Sequence, residues 1–181
     1  MKSKKADVWI SAILYIALAV ALITIVLTAG MPILDRIRDK NVVLQTKEVL
    51  FSLNDDILSV FRQGPGAQIP ILVQINKGDF SINCDNQNIT WRFKTKSILS
   101  QPDIQTKEGD INIMTAVTSI KDEYEISLFL NYKDQTSFEL VCGKDALKSS
   151  LPISGNYNLI VKNLGAQNCL DCKIQIQIKE Q

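Results

Sequence analysis

Histidine is absent from all 181 residues. That removes Ser-His triads, Cys-His dyads and the commonest zinc ligand together. The chain also has neither a phosphate-cradling GxxxxGK[ST] loop nor a GxGxxG turn, so nucleotide chemistry has no foothold. Charge of one sign is equally lacking: Lys plus Arg number 20 and Asp plus Glu number 19. Setting aside Lys2, Lys4, Lys5 and Asp7 leaves 17 basic and 18 acidic residues from Met31 onward. A near-neutral domain gives no electrostatic case for nucleic acid. Carboxylates cluster at Asp55-Asp56 and at Asp122-Glu123-Glu125, patterns that read as solvated charge rather than an acid/base pair. The expectation is a protein that is not an enzyme and takes no cofactor and no metal.

The longest gap in charge is what organises the rest. Val8 to Leu34 holds 27 residues without an Asp, Glu, Lys or Arg. As a helix this segment is roughly 40 Å long, against a bilayer hydrocarbon core of roughly 30 Å. Ile, Leu, Val and Ala surround the axis on every side, interrupted by Ser11, Tyr15, Thr24 and Thr28. A helix buried in a soluble domain keeps a polar stripe, so this pattern predicts a membrane span. Lys2, Lys4 and Lys5 precede it, placing the N-terminus in the cytoplasm by the positive-inside rule and exporting the remainder. Thr28-Ala29-Gly30 offers small residues for secretory cleavage. However, the apolar run before Thr28 is about 20 residues, longer than the roughly 7 to 15 of a secretory h-region. A retained anchor is expected.

The first six residues, MKSKKA, carry a second signal. Lys4-Lys5-Ala6 followed by Asp7-Val8-Trp9-Ile10 resembles the class III signal peptide of archaeal type IV pilins and archaellin-like proteins. The resemblance covers about 30 of the 181 residues. It implies cleavage between Ala6 and Asp7 by a prepilin peptidase, with the apolar run kept on the mature subunit. The chain departs from bacterial type IV pilins at Ser11, where their glutamate would stand. Asp7 is the nearest carboxylate, and a negative charge there also complements the dipole at the start of a helix.

Gly30-Met31-Pro32 predicts a kink or a short melted turn. Val43, Leu50, Leu53, Ile57 and Phe61 then recur at helical spacing, so an amphipathic helix continues to about Arg62. Its main stripe packs on the domain that follows. Leu44, Phe51 and Leu58 offer a second apolar face for other copies. Gln63-Gly64-Pro65-Gly66-Ala67 ends the helix. Beyond it the apolar period falls to two, predicting strands at Ile69–Asn76, Phe80–Cys84, Ile89–Lys96, Ile111–Thr118, Tyr124–Tyr132, Ser137–Cys142, Tyr157–Leu164 and Lys173–Lys179. Asn76-Lys77-Gly78-Asp79, Asp85-Asn86-Gln87-Asn88 and Lys133-Asp134-Gln135 supply turns. Lys77-Gly78-Asp79 is read as a hairpin turn rather than an integrin-type tripeptide.

The fold expected is α+β: a signal peptide over 1–6, a transmembrane then amphipathic helix over 7–62, a hinge over 63–68, and an antiparallel β-sandwich of about eight strands over 69–181.

Four cysteines, Cys84, Cys142, Cys169 and Cys172, lie on the exported side, where disulfides persist. Three pairings are open. A four-thiolate zinc site needs two close pairs and only Cys169-x-x-Cys172 is one. A redox role for that pair lacks the helix-start context. Structural disulfides are expected, and if two form, one linking Cys84 or Cys142 to the C-terminal pair would close a long loop and fasten the last strand to the sheet. Asn88-Ile89-Thr90 is an N-glycosylation sequon beside a turn, which makes Asn88 a candidate glycan site.

Two functions are consistent with these features. One is the structural subunit of an extracellular filament for adhesion, contact or motility, a homo-oligomer whose small residues Ala12, Ala17, Ala19 and Ala21, with Ile25, let helices pack closely. Its partners would be the prepilin peptidase and pilus assembly machinery, and its site the membrane before assembly. The other is a single-span binding module, or minor pilin-like protein, that stays unpolymerised in the envelope.

Overall fold

A computed structural model describes residues 4–134, 137–142, 155–166 and 174–180. The chain is α+β: among the described residues, one long helix is followed by nine strands in two sheets. It divides into two compact units, one ending at Asp39 and the other beginning at Lys40.

Helix α1, Lys4–Gln63, contains Pro32 without interruption. The melted turn expected at Gly30-Met31-Pro32 is therefore not formed. Proline in a helix interior deprives one carbonyl of its donor, here that of Thr28 four residues back, while its φ remains helical. The good helix formers on either side carry the ladder past it. In the first unit every residue from Ser11 to Arg38 is exposed except the half-buried Gly30. The polar interruptions satisfy themselves locally: Thr24 Oγ1 donates to the Val20 carbonyl at 2.8 Å, and Thr28 Oγ1 to the Thr24 carbonyl at 2.6 Å. This segment is long and apolar enough to cross a membrane.

In the second unit α1 presents one buried face, formed by Thr46, Leu50, Leu53, Asn54, Ile57 and Val60. Val43 and Phe61 flank it, partly buried against the same core. Gly64 and Gly66, both at φ 90°, end the helix by turning through a region that side chains disfavour.

The strands are β1 (Gln68–Ile75), β2 (Asp79–Asn83), β3 (Asn88–Thr95), β4 (Gln105–Glu108), β5 (Ile111–Val117), β6 (Tyr124–Asn131), β7 (Phe138–Cys142), β8 (Gly155–Gly165) and β9 (Ile174–Glu180). One sheet runs β1-β8-β9-β7 and the other β2-β3-β6-β5-β4. The five-stranded sheet is antiparallel throughout. The four-stranded sheet is mixed, because β9 lies between β8, to which it is antiparallel, and β7, to which it is parallel. The all-antiparallel expectation fails at that pair, since alternation in a strand says which face is buried and nothing about the direction of its neighbour. The turn at Lys77-Gly78-Asp79 is not a hairpin, because β1 and β2 belong to different sheets.

One apolar cluster draws on the helix and on both sheets. Leu50, Leu53, Ile57 and Val60 meet Val73, Leu159, Val161, Phe138 and Leu140 from the four-stranded sheet, with Phe80, Ile89, Trp91, Ile111, Leu128 and Leu130 from the other. Trp91 is fully buried, and its Nε1 donates to the Lys77 carbonyl at 2.8 Å. A Cβ on Gly78, at φ 90°, would stand 2.6 Å from that nitrogen, so the close turn requires glycine.

Candidate functional site

The apolar half of α1 is the first candidate. Ala12, Ala17, Ala19, Ala21 and Ile25 all lie on the helix and are exposed. They do not make one stripe. At about 100° per residue, Ala17, Ala21 and Ile25 share a face, joined by Thr24 and Thr28, while Ala12 stands about 140° from Ala17 and shares its side with Ala19. The helix therefore offers two small-residue faces rather than one. Ala6 and Asp7, flanking the expected cleavage point, have helical backbone.

Of the expected second face on the lower helix, only Leu44 stands open, at 41% exposed. Phe51 and Leu58 are partly buried against the chain's own core. Phe51 sits under the β4–β5 turn, where a Cβ on Gly109 would come within 2.8 Å of its ring. The same turn grips the helix at two more points. Lys47 Nζ meets both carboxylate oxygens of Glu108 at 2.8 and 2.7 Å, and Asn54 Nδ2 donates to Asp110 Oδ2 at 3.0 Å. Tyr132 donates its hydroxyl to Asn54 Oδ1 at 2.8 Å from within the core. Burial, and then the Asp110 charge, hold the Tyr132 hydroxyl well above the usual phenol range. A polar Asn54 inside an apolar stripe is the one sequence signal that could have announced this clasp.

A second polar fixture holds the end of α1. Buried Asn163 on β8 donates from Nδ2 to the carbonyls of Val60 and Phe61, at 3.2 and 3.4 Å. Two of the last helical acceptors thus find a donor from a strand about a hundred residues away.

Cys84 and Cys142 form a disulfide with Cα atoms 5.8 Å apart and a sequence separation of 58 residues. The expected link from either of them to the C-terminal pair is thereby overturned. Bonded sulfurs cannot serve as thiolates, so the four-cysteine zinc set is broken as well. Cys169 and Cys172 lie outside the described residues. The bond joins the end of β2 to the end of β7, one strand from each sheet. Gln87 adds a non-covalent tie at the same place: its Nε2 donates to the Leu140 carbonyl at 2.8 Å, and the Leu140 amide donates to its Oε1 at 2.7 Å.

Asn88 opens β3, half-buried, with its backbone paired to Asn83 on one side and Asn131 on the other. The acidic groups separate in character. Asp56 is pushed above the usual carboxylate range by burial and by the neighbouring Asp55. Glu123 and Glu125 instead line a cavity of about 380 Å³ at one end of the five-stranded sheet, with Lys94, Ala116, Val117 and Ile120. Its loop is tightly held: Thr118 Oγ1 donates to Glu123 Oε2 at 3.0 Å, and the Thr118 amide to the Glu123 carbonyl at 3.1 Å.

Comparison with family models, with curated proteins and with solved structures finds no match to this chain.

Proposed function

We propose that this chain is a pilin-like structural subunit of an extracellular filament serving adhesion, contact or motility. The observation that carries the reading is the run from Ser11 to Leu34, apolar on all sides and exposed throughout except at the half-buried Gly30. So much exposed apolar surface requires either lipid or other helices around it. A helix that only anchored would need neither small-residue faces nor a peptidase site ahead of it. Ala17 and Ala21, with Thr24 and Thr28, let a second helix approach closely, and MKSKKA ahead of Asp7 supplies the site at which a prepilin peptidase would free the subunit.

In this reading the helix resides in the membrane with its N-terminus cytoplasmic. It then passes through the pilus assembly machinery into a helical homo-oligomer at the cell surface. The β-rich unit forms the outer shell. We read its two sheets as a sandwich, since Val73, Leu159 and Val161 from one share a single buried cluster with Trp91, Leu128 and Leu130 from the other.

The test is the N-terminal residue and the sedimentation of protein taken from native cells. A mature chain beginning at Asp7 in a sedimenting polymer supports the proposal. A monomer retaining Met1 would replace it with the tethered binding module. A chain beginning near Met31 would show the helix to be an export signal and end both readings.

A further inference from the structure

The outward face of the five-stranded sheet carries a single aromatic ring. Alternation sets that face: with Ile89, Trp91, Leu128 and Leu130 buried, Asn88, Thr90, Phe129 and Asn131 take the opposite side. Phe129 is half-buried there. Resting on the reading above that exports the β-rich unit, we propose that Asn88 carries an N-linked oligosaccharide whose first sugar lies on the Phe129 ring.

Three asparagines stand in a row across this face, since Asn88 is the register partner of Asn83 on β2 and of Asn131 on β6. The outer two are occupied by turns: Asn83 Oδ1 accepts the Asn86 amide at 2.8 Å, and Asn131 Oδ1 the Lys133 amide at 3.0 Å. The Asn88 side chain has no hydrogen-bond partner among the described residues, and neither has the Thr90 hydroxyl. Asparagine is a poor strand former, so sheet packing gives no reason for it at the start of β3. The sequon Asn88-Ile89-Thr90 buries its middle residue and presents its amide and its hydroxyl together on the side away from the core.

The donor this requires is a lipid-linked oligosaccharide. Asn88 Nδ2 attacks the anomeric carbon of its first sugar. The new C–N bond replaces the bond from that carbon to the carrier's phosphate oxygen, and the phosphorylated carrier leaves with one amide proton. Phe129 is where the attached sugar settles. It is the register partner of Thr90 and so stands diagonally across from Asn88, a separation of about 7 Å in such pairs. The C–H face of a pyranose on the ring removes apolar surface of both from water. Ser127 and Asn131, two residues to either side of Phe129 on the same face, border the ring with groups that can meet sugar hydroxyls.

Mass mapping of the full-length protein from its native cells tests the site. The peptide holding Asn88 is expected to be heavier by at least one sugar residue, the increment to vanish in Asn88→Gln and Thr90→Ala, and to persist in Thr90→Ser. Thermal melting tests the contact: Asn88→Gln and Phe129→Ala should each lower the melting temperature by about 3 °C, and the two together by less than the sum, because either one removes the same interaction. Fully additive losses would overturn the sugar–ring contact. A bare Asn88 in protein whose β-rich unit is labelled on intact cells by a membrane-impermeant amine reagent would overturn the glycan and leave the export reading standing. A β-rich unit labelled only after lysis would remove the export reading, and this site with it.

Discussion

The two stretches of α1 on either side of residue 40 are both rich in Leu, Ile and Val, yet they meet opposite fates. From Ser11 to Leu34 the apolar side chains go all the way round and stay exposed; Ile16, Leu18 and Ile25 are each more than half exposed. From Lys40 to Gln63 they fall on one side, and Leu50, Ile57 and Val60 have no exposed surface at all. The difference lies in the arrangement of charge, not in the amount of hydrophobicity. A polar back lets a helix lie on a sheet and still meet water, whereas an all-apolar surface cannot be satisfied by one sheet and must find its partners elsewhere.

The same substitution made in both stretches gives the sharpest separation. Ile57→Ala should destabilise the β-rich unit by about 2 to 5 kcal/mol, because the cavity it leaves is enclosed by both sheets. Ile25→Ala should change unfolding of that unit by less than about 0.5 kcal/mol. Denaturant unfolding of the detergent-held full chain measures both, and equal effects would erase the distinction between the stretches.

Next in size is the covalent tie within the packed unit. Replacing Cys84 and Cys142 by serine opens a loop of 58 residues and should cost about 2 to 4 kcal/mol. Thermal melting with and without reductant reads it, with no corresponding loss expected in membrane association.

Asn163→Leu, which keeps the volume near β8 but strips the helix end of its donor, should cost about 1 to 3 kcal/mol. Amide exchange would show Val60 and Phe61 opening first. A uniform loss across α1 would mean that Asn163 holds more than the helix end.

The smallest effect is electrostatic. Burial and Asp55 raise the Asp56 pKa above its ordinary 3.8, so the folded chain binds this proton more tightly than the unfolded chain does. Stability is then greater in acid and declines as pH rises from about 3.8 through the higher folded value. Asp56→Asn should raise the melting temperature at neutral pH, with the advantage vanishing in acid. A gain that is the same at both pH values would place the cause in packing.

Much of the chain's organisation was legible from period alone. The change from all-apolar helix to striped helix to alternating strand located the apolar helix, the packed helix and eight of the nine strands among the described residues. β4 escaped because Gln105-Thr106-Lys107-Glu108 has no apolar member and none of the four is buried. It forms as the partner of β5, and its adjoining turn grips Lys47, Phe51 and Asn54 on the helix. Phe51 and Leu58 were misassigned to a free face for the same reason: the sequence gives a side chain's angle on the helix but not what folds over it later. Within the candidate cavity Glu123 and Glu125 looked like ordinary surface charge until the β5–β6 loop set them against exposed Val117 and Ile120.

By itself the sequence determined the long apolar N-terminal helix, the helix-to-strand order and the absence of histidine, because each depends only on residue type and local spacing. Tertiary structure alone decided that β9 runs parallel to β7, that Cys84 joins Cys142, that Asn163 caps a helix about a hundred residues earlier, and which apolar groups remain uncovered. Those are relations between segments distant in the chain, and they are set by how two sheets and a helix share one core.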